Sequence, residues 1–304
     1  MREALMQELE RIAKNDSKVL LLTGDHGATL FDKFRKSFPR QYINMGIAEQ
    51  NMVGVAAGLS RAGFKPFVYG LSAFIPIRVL EQIKIDVCHD NLPVIFLGDG
   101  AGFVYSHLGT SHQSTEDIAV TRVIPNLSVL SPADKLEMSQ SIKLSYSSNA
   151  PVYLRIGKSD AGNIHTKDVA FSMGDLIPIK KSNGDLHFIA TGSMVSLAQK
   201  LCKKFVGSGL SSAPSLKPIN SNQVIDICKN NKRVVTIEEH SVYGGLGSII
   251  AEIISLEPLT KLHRIGVNDR FSEFCGSYNY LLREHGLDLI SLESNVLDFL
   301  DSDS

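Results

Sequence analysis

The sequence predicts an α/β protein: two consecutive α/β domains with mostly parallel sheets. Three observations carry this. Short apolar runs of strand type alternate with helix-type segments along most of the chain. Some of these runs, KVLLLT at 18–23 and LPVIFL at 92–97 above all, are almost wholly apolar, as strands buried on both faces are. The length, 304 residues, suits two domains of about 150 residues each.

The elements follow in order. Residues 2–14 read as an amphipathic helix with Leu5, Leu9, Ile12 and Ala13 on one stripe. Lys18–Thr23 reads as a buried parallel strand running into a glycine-rich turn, Gly24-Asp25-His26-Gly27. Glu49–Ala62, rich in Ala, Gly, Met and Val, reads as a closely packed helix. Lys65–Tyr69 reads as a strand, Ile77–Asp90 as a helix, Leu92–Leu97 as a strand and Ser128–Leu130 as a short strand. Pro132–Ser147 reads as a helix capped by Ser131, and Pro151–Ile156 as a strand. Residues 157–184 carry scattered Gly, Ser, Asn, Lys and Asp and read as a connection or edge hairpin. A second α/β run then begins: Leu186–Ala190 (strand), Met194–Phe205 (helix), Val234–Glu238 (strand) and Gly247–Ser255 (helix). The division is expected near residue 170, giving domains 1–168 and 169–304.

Composition narrows the function classes. Hydrophobic residues are 43% and charged residues 21%, as in ordinary globular proteins. The 31 Lys+Arg nearly cancel the 32 Asp+Glu, so the charge footprint of a nucleic-acid binder is absent. No apolar run reaches the ~18 residues of a membrane span, and the start, MREALMQELERIAKND, lacks the features of a signal peptide. Cys88, Cys202, Cys228 and Cys275 are widely spaced with no CxxC, which fits reduced thiols in a cytoplasmic protein.

Gly98-Asp99-Gly100, with Asn126 some two dozen residues on, has the spacing of the magnesium site of thiamine-diphosphate enzymes. In such sites the glycine turn opens a helix. Here the following AGFVYSHLGTSHQ has no helical periodicity, so a strand-end turn and an unrelated loop Asn are expected, and no metal ligand.

Several segments together resemble a known family. Asn44–Gly58 (NMGIAEQNMVGVAAG), Lys65–Phe74 (KPFVYGLSAF), Gly109–Asp117 (GTSHQSTED), Val129–Asp134 (VLSPAD) and Pro151–Lys158 (PVYLRIGK) resemble, in order, the pyrimidine-binding domain of transketolases and of 1-deoxyxylulose-5-phosphate synthase. Ala190–Ser193 (ATGS) and Ile237–Gly247 (IEEHSVYGGLG) resemble the C-terminal domain of the same family. The family's diphosphate-binding domain, which normally precedes these, is not in this sequence. The chain thus resembles the C-terminal half of a split transketolase.

The resemblance implies thiamine diphosphate, with its diphosphate and Mg2+ held mainly by a partner chain. It implies that Glu49 activates the cofactor by sharing a proton with its pyrimidine ring, and burial of that carboxyl would raise its pKa. On residue type alone, Glu49 also reads as a helix-start acid favoured by the dipole. The resemblance further places Phe74 and Leu71 against the pyrimidine, Asp25 near the cofactor, and His112 at the reacting centre as a proton-handling group. Leu71 stands where an aromatic is often found.

Substrate positions match less well. The family's acidic residue four before the TSHQ histidine is Leu108 here, which cannot accept a hydrogen bond. Lys158 stands where a phosphate-binding Arg usually lies, with Arg155 and His107 as further candidates for substrate contact. Arg2 resembles a phosphate-binding Arg at the start of the domain. In EEHSVYGGLG, Gly244, Gly245 and Gly247 suit a turn before a helix, whose start serves packing or an anion.

The implied function is transfer of a two-carbon ketol unit from a ketose donor to an aldehyde acceptor, in a specialised sugar pathway. The expected partner is an N-terminal transketolase subunit, in a dimer of heterodimers, acting on sugars or sugar phosphates. The alternatives are a 1-deoxyxylulose-5-phosphate synthase-like decarboxylating subunit and a non-catalytic regulatory partner.

Overall fold

The computed structural model describes residues 1–27, 29–158, 162–255 and 260–302. Among these residues the strands form two sheets. In chain order they are β1 (Val19–Thr23), β2 (Tyr42–Asn44), β3 (Lys65–Leu71), β4 (Ile95–Asp99), β5 (Ser128–Leu130), β6 (Val152–Ile156), β7 (Ile177–Lys180), β8 (Leu186–Ala190), β9 (Gly209–Ser212), β10 (Ser215–Lys217), β11 (Arg233–Ser241) and β12 (Lys261–Val267). The first sheet runs β10-β5-β6-β4-β3-β1-β2 and the second β12-β11-β8-β9-β7. Within the first, every pair is parallel except β10 against β5; within the second, every pair is parallel except β7 against β9. The predicted fold of two α/β units with mostly parallel sheets is therefore the observed one.

β1, β4 and β6 are buried at every position, as parallel strands covered on both faces must be. The period of two divides β1 between layers. Leu20 and Leu22 pack with Met52, Val53, Ala56 and Ala57 of the helix Glu49–Arg61. Val19 and Leu21 pack on the other face with Leu5, Leu9 and Ile12 of the helix Arg2–Asn15 and with Met138 and Ile142 of the helix Lys135–Ser147. Each fully buried Leu, Ile, Val or Met side chain among these stabilises the fold by roughly 1.5–3 kcal/mol.

Some elements differ from expectation. The helix after β5 starts at Lys135, not Pro132, because Asp134 is its cap: its Oδ1 accepts from the N–H groups of Leu136 at 2.9 Å and Glu137 at 3.0 Å. Ser131 pairs its backbone with Pro214 and Gly192 instead. The strand expected at Leu92–Leu97 is shifted to Ile95–Asp99, because Gly98 and Asp99 continue the ladders to β3 and β6. The stretch Ile77–Cys88 passes from a 3₁₀ turn through one α-turn to a π-helical segment, Ile83–Cys88. Within 157–184, of which 159–161 lie outside the described residues, β7 forms the edge of the second sheet. Between β9 and β11 the chain returns to the first sheet as β10. Among the described residues, no helix is long and apolar enough to cross a membrane.

From β1 the chain passes to β2 on one side of β1 and then to β3 on the other. The carboxyl ends of β1 and β3 thus flank a topological switch point, where open α/β sheets leave a crevice.

Candidate active site

A cleft of about 320 Å³ opens at that switch point, walled by Asp25, His26, Glu49, Tyr69, Leu71 and Phe74 among others. Asp25 and His26 lie in the turn after β1, Glu49 opens its helix, and Leu71 ends β3. The structure therefore brings together Asp25, Glu49, Leu71 and Phe74, which are up to 49 residues from one another in sequence (25 to 74). Ile47 and Met52 add apolar wall.

The Glu49 side chain is 14% exposed, and its Oε2 is 3.1 Å from a guanidinium nitrogen of Arg78. The carboxyl group is thus largely buried, as expected, but it is also paired with a cation at the rim. The same guanidinium lies 4.0 Å from the centre of the Phe74 ring. Phe74 in turn meets the His112 ring edge-on, with centroids 5.3 Å apart. Arg78 thus joins Glu49 to Phe74, and Phe74 reaches the loop that carries His112. Sequence reasoning passed over Arg78, although it lies four residues after Phe74 at the start of a helical stretch.

The other expected substrate residues lie elsewhere. His107 is exposed, its ring tilted against Tyr105 with centroids 6.5 Å apart. Lys158 lines a separate cleft of about 430 Å³ with Ser193 and Tyr278, its ammonium 5.5 Å from the Tyr278 ring centre. Arg155 corrects the expectation of substrate contact. It is 2% exposed, and its Nε donates to both Asp117 oxygens, at 2.8 and 3.1 Å. Its Nη2 donates to the Glu239 carbonyl at 2.7 Å. Burial works against the Arg155 charge, but Asp117 more than restores it. A guanidinium so enclosed has no face left for a sugar.

Asp99 and Asn126 do not share a site. The Asn126 amide donates to the Cys88 carbonyl at 2.9 Å. Asp99, 1% exposed, accepts from Arg2, His26, Tyr69 and Tyr105. Burial pushes the Asp99 carboxyl up, but the His26 hydrogen bond and the Arg2 guanidinium outweigh it and hold the group at about 2. Arg2 is thereby committed to Asp99 and to the Tyr105 hydroxyl. Among the described residues, no three His, Cys, Asp or Glu side chains gather as metal ligands.

The loop 100–116, bearing His107 and His112, is anchored from the second domain. Gly102 and Ser114 exchange backbone hydrogen bonds at its base. Glu239 of β11 accepts from the Phe103 N–H at 2.6 Å through Oε1, and from the Tyr278 hydroxyl at 2.6 Å through Oε2. Gly102 has φ +67°, and a Cβ there would lie 2.3 Å from Glu239 Oε1, so only glycine fits. Ser272 donates to Gln113 at 2.9 Å, and His285 stacks on Phe103. The neighbouring Glu238 fills the start of the helix Leu246–Ile254, accepting from Leu246 N–H at 2.7 Å and Gly247 N–H at 2.8 Å. That helix start is therefore filled by an internal carboxyl group, the packing alternative.

In a fold of this kind, a cleft at the switch point, here walled by carboxylates and an aromatic ring, is where ligands bind. Comparison with known proteins specifies the family. The family model for the pyrimidine binding domain of transketolase matches residues 1–163, and that for the transketolase C-terminal domain matches 176–289. One of the subunits of the apulose-4-phosphate transketolase of Phocaeicola vulgatus is 31% identical, over 98% of this chain and 97% of that one. A putative transketolase C-terminal section of Methanocaldococcus jannaschii is 34% identical, over 98% and 95%. A solved split-gene transketolase, an inactive beta4 tetramer, superposes with a TM-score of 0.88 at 34% identity, over 98% of this chain and 96% of that one. Matches to 1-deoxy-D-xylulose-5-phosphate synthases span less than half of those proteins. The chain belongs to the transketolase family, with its pyrimidine-binding and C-terminal domains, and matches proteins named as parts of split transketolases over nearly their whole length.

Membership implies thiamine diphosphate as the cofactor. The cleft suits its pyrimidine part: a flat ring with polar edges meets aromatic and aliphatic walls and two carboxylates, Glu49 and Asp25.

Proposed function

We propose that this chain joins an N-terminal partner subunit that holds the diphosphate and Mg2+ of thiamine diphosphate, and that together they transfer a two-carbon ketol unit from a ketose to an aldehyde. The observation that carries this reading is the cleft gathering Asp25, Glu49, Leu71 and Phe74 at the switch point. When bound, thiamine diphosphate supplies the nucleophilic carbon that accepts the ketol unit.

The roles of this chain's residues follow from their chemistry. Glu49 shares a proton with a ring nitrogen of the pyrimidine, its carboxylate oriented by Arg78. Phe74 and Leu71 hold the ring by packing, and Asp25 contacts its polar edge. His112, on the loop beside Phe74, handles protons on substrate hydroxyls. Lys158 and His107, outside the cofactor cleft, engage the distal part of a sugar or sugar phosphate. The proposed division between the domains lies at 168/169, between β6 and β7. A dimer of heterodimers and a cytoplasmic location complete the reading. Relatives named as parts of split transketolases over nearly their whole length favour ketol transfer over the decarboxylating alternative.

The test is calorimetry of thiamine diphosphate with Mg2+, using this chain alone and then the chain mixed with its partner. Binding only in the mixture, followed by loss of ketol transfer in Glu49→Gln, supports the reading. Tight binding to the isolated chain would sink the shared site. An active Glu49→Gln complex would point to a regulatory role for this chain.

A further inference from the structure

The cofactor cleft contains a histidine that the ketol-transfer reading leaves without a task. His26 lines the same wall as Asp25 and Glu49. Its Nε2 lies 3.2 Å from Asp99 Oδ2 and 3.0 Å from the Tyr105 hydroxyl. That hydroxyl donates to Asp99 at 2.8 Å and accepts from Arg2 at 2.6 Å. A carboxylate only accepts, so Nε2 carries the proton shared with Asp99. In the neutral form of the ring, Nδ1 is then an acceptor. Among the described residues, Nδ1 makes no hydrogen bond.

The ring cannot easily turn away. It lies nearly parallel to Tyr69, 4° between planes at 5.8 Å, and edge-on to Tyr105 at 5.4 Å. The Tyr69 hydroxyl is itself tied to Asp99 at 2.8 Å. Asp99 therefore sets both the tautomer and the orientation of a side chain that is still 34% exposed at the cleft. An acceptor fixed in this way suits a neutral donor on the ligand, and a sugar offers hydroxyls. Leu108, by contrast, supplies no acceptor from the opposite loop.

We propose that His26 is a substrate-specificity residue, its Nδ1 accepting a hydrogen bond from a hydroxyl of the sugar acceptor and its tautomer held by Asp99. This rests on the cleft being the ketol-transfer site.

Two experiments test it. In the assembled enzyme with xylulose 5-phosphate as donor, His26→Phe keeps the aromatic stacking and removes both nitrogens. Its kcat/KM should fall at least about tenfold more for polyhydroxylated D-erythrose than for propanal, which has no hydroxyl; that is the scale of one lost hydrogen bond. An equal loss for both aldehydes, or no loss, overturns the proposal. Glu49→Gln separates the two failures: if it stays active, the cofactor reading falls; if it is dead while His26→Phe ignores hydroxyls, only the role of His26 falls. Independently of turnover, imidazole ¹⁵N spectra of this chain should show His26 as the neutral Nε2–H tautomer at pH 7.5. An Nδ1–H tautomer or a doubly protonated ring overturns the proposal.

Discussion

The Arg78 guanidinium pairs with the Glu49 carboxylate at 3.1 Å while lying 4.0 Å over the ring of Phe74. One cation thereby orients the two side chains that the cofactor reading depends on most. Arg78 is 45% exposed, so the ion pair adds at most about 1 kcal/mol to stability.

Glu49→Gln should therefore leave the fold intact while abolishing function. The amide still hydrogen-bonds but cannot share a carboxyl proton. Turnover of the assembled enzyme is expected to fall at least about a hundredfold, the usual scale for a lost acid–base group, with Tm unchanged within a few degrees. Steady-state kinetics and a thermal melt check the two halves.

Arg155→Met should do the reverse, through the fold. It strips the partner from Asp117, which is 0% exposed. An uncompensated buried charge costs roughly 3–5 kcal/mol, to be read as a shift in the urea midpoint. If Arg155 served substrate rather than structure, stability would hold and only KM would rise.

Glu239→Gln should loosen the loop bearing His112 without touching the cleft. The carboxylate accepts from both Phe103 N–H and Tyr278 hydroxyl, and a side-chain amide can accept only through its one oxygen. Hydrogen exchange at 103–113 is expected to speed up about tenfold, with no change at 49–61. Uniform acceleration along the chain would mean general destabilisation instead.

Glu238 gives a signed pH dependence. Burial raises its carboxyl, the Gly247 and Leu246 N–H groups lower it, and the balance is about 7. A folded pKa above the unfolded value means stability is fully present below about pH 4.5 and is lost as pH rises through about 7. His240 beside it acts in the opposite sense. Its pKa, lowered by burial to about 4, makes stability fall as pH drops below the unfolded value of 6.5. Glu238→Gln should remove the first effect only. Between pH 4.5 and 8 the variant's stability should rise relative to wild type by on the order of 3 kcal/mol, measured by urea titration at each pH.

Local pattern made much of this legible. The central strands declare themselves because each is apolar along its length, and the first helix by its single stripe. β2 is three residues long and half-buried, so it carries no comparable signal. β10 pairs with a strand more than eighty residues earlier, a partner that no local period reveals. The residues that line the switch-point cleft were singled out by motif resemblance, which places one residue at a time. The network around Asp99 was not, because His26 and Asp99 are 73 residues apart and Arg2 and Tyr105 are 103 apart. Arg155 misled for a related reason. An arginine beside a presumed anion site and one neutralised by a buried carboxylate have the same local sequence, and only the fold reveals the Asp117 opposite.

β10 makes the covalent order of the chain a poor guide to where it can be cut. Residues 1–168 expressed alone would keep six of the seven strands of the first sheet and leave the β5 edge unpaired, open to another chain's strand. They would also lack Glu239, and so the anchor beneath the loop that carries His112. Along this polypeptide two domains follow one another; the first sheet is complete only at residue 217, deep inside the second.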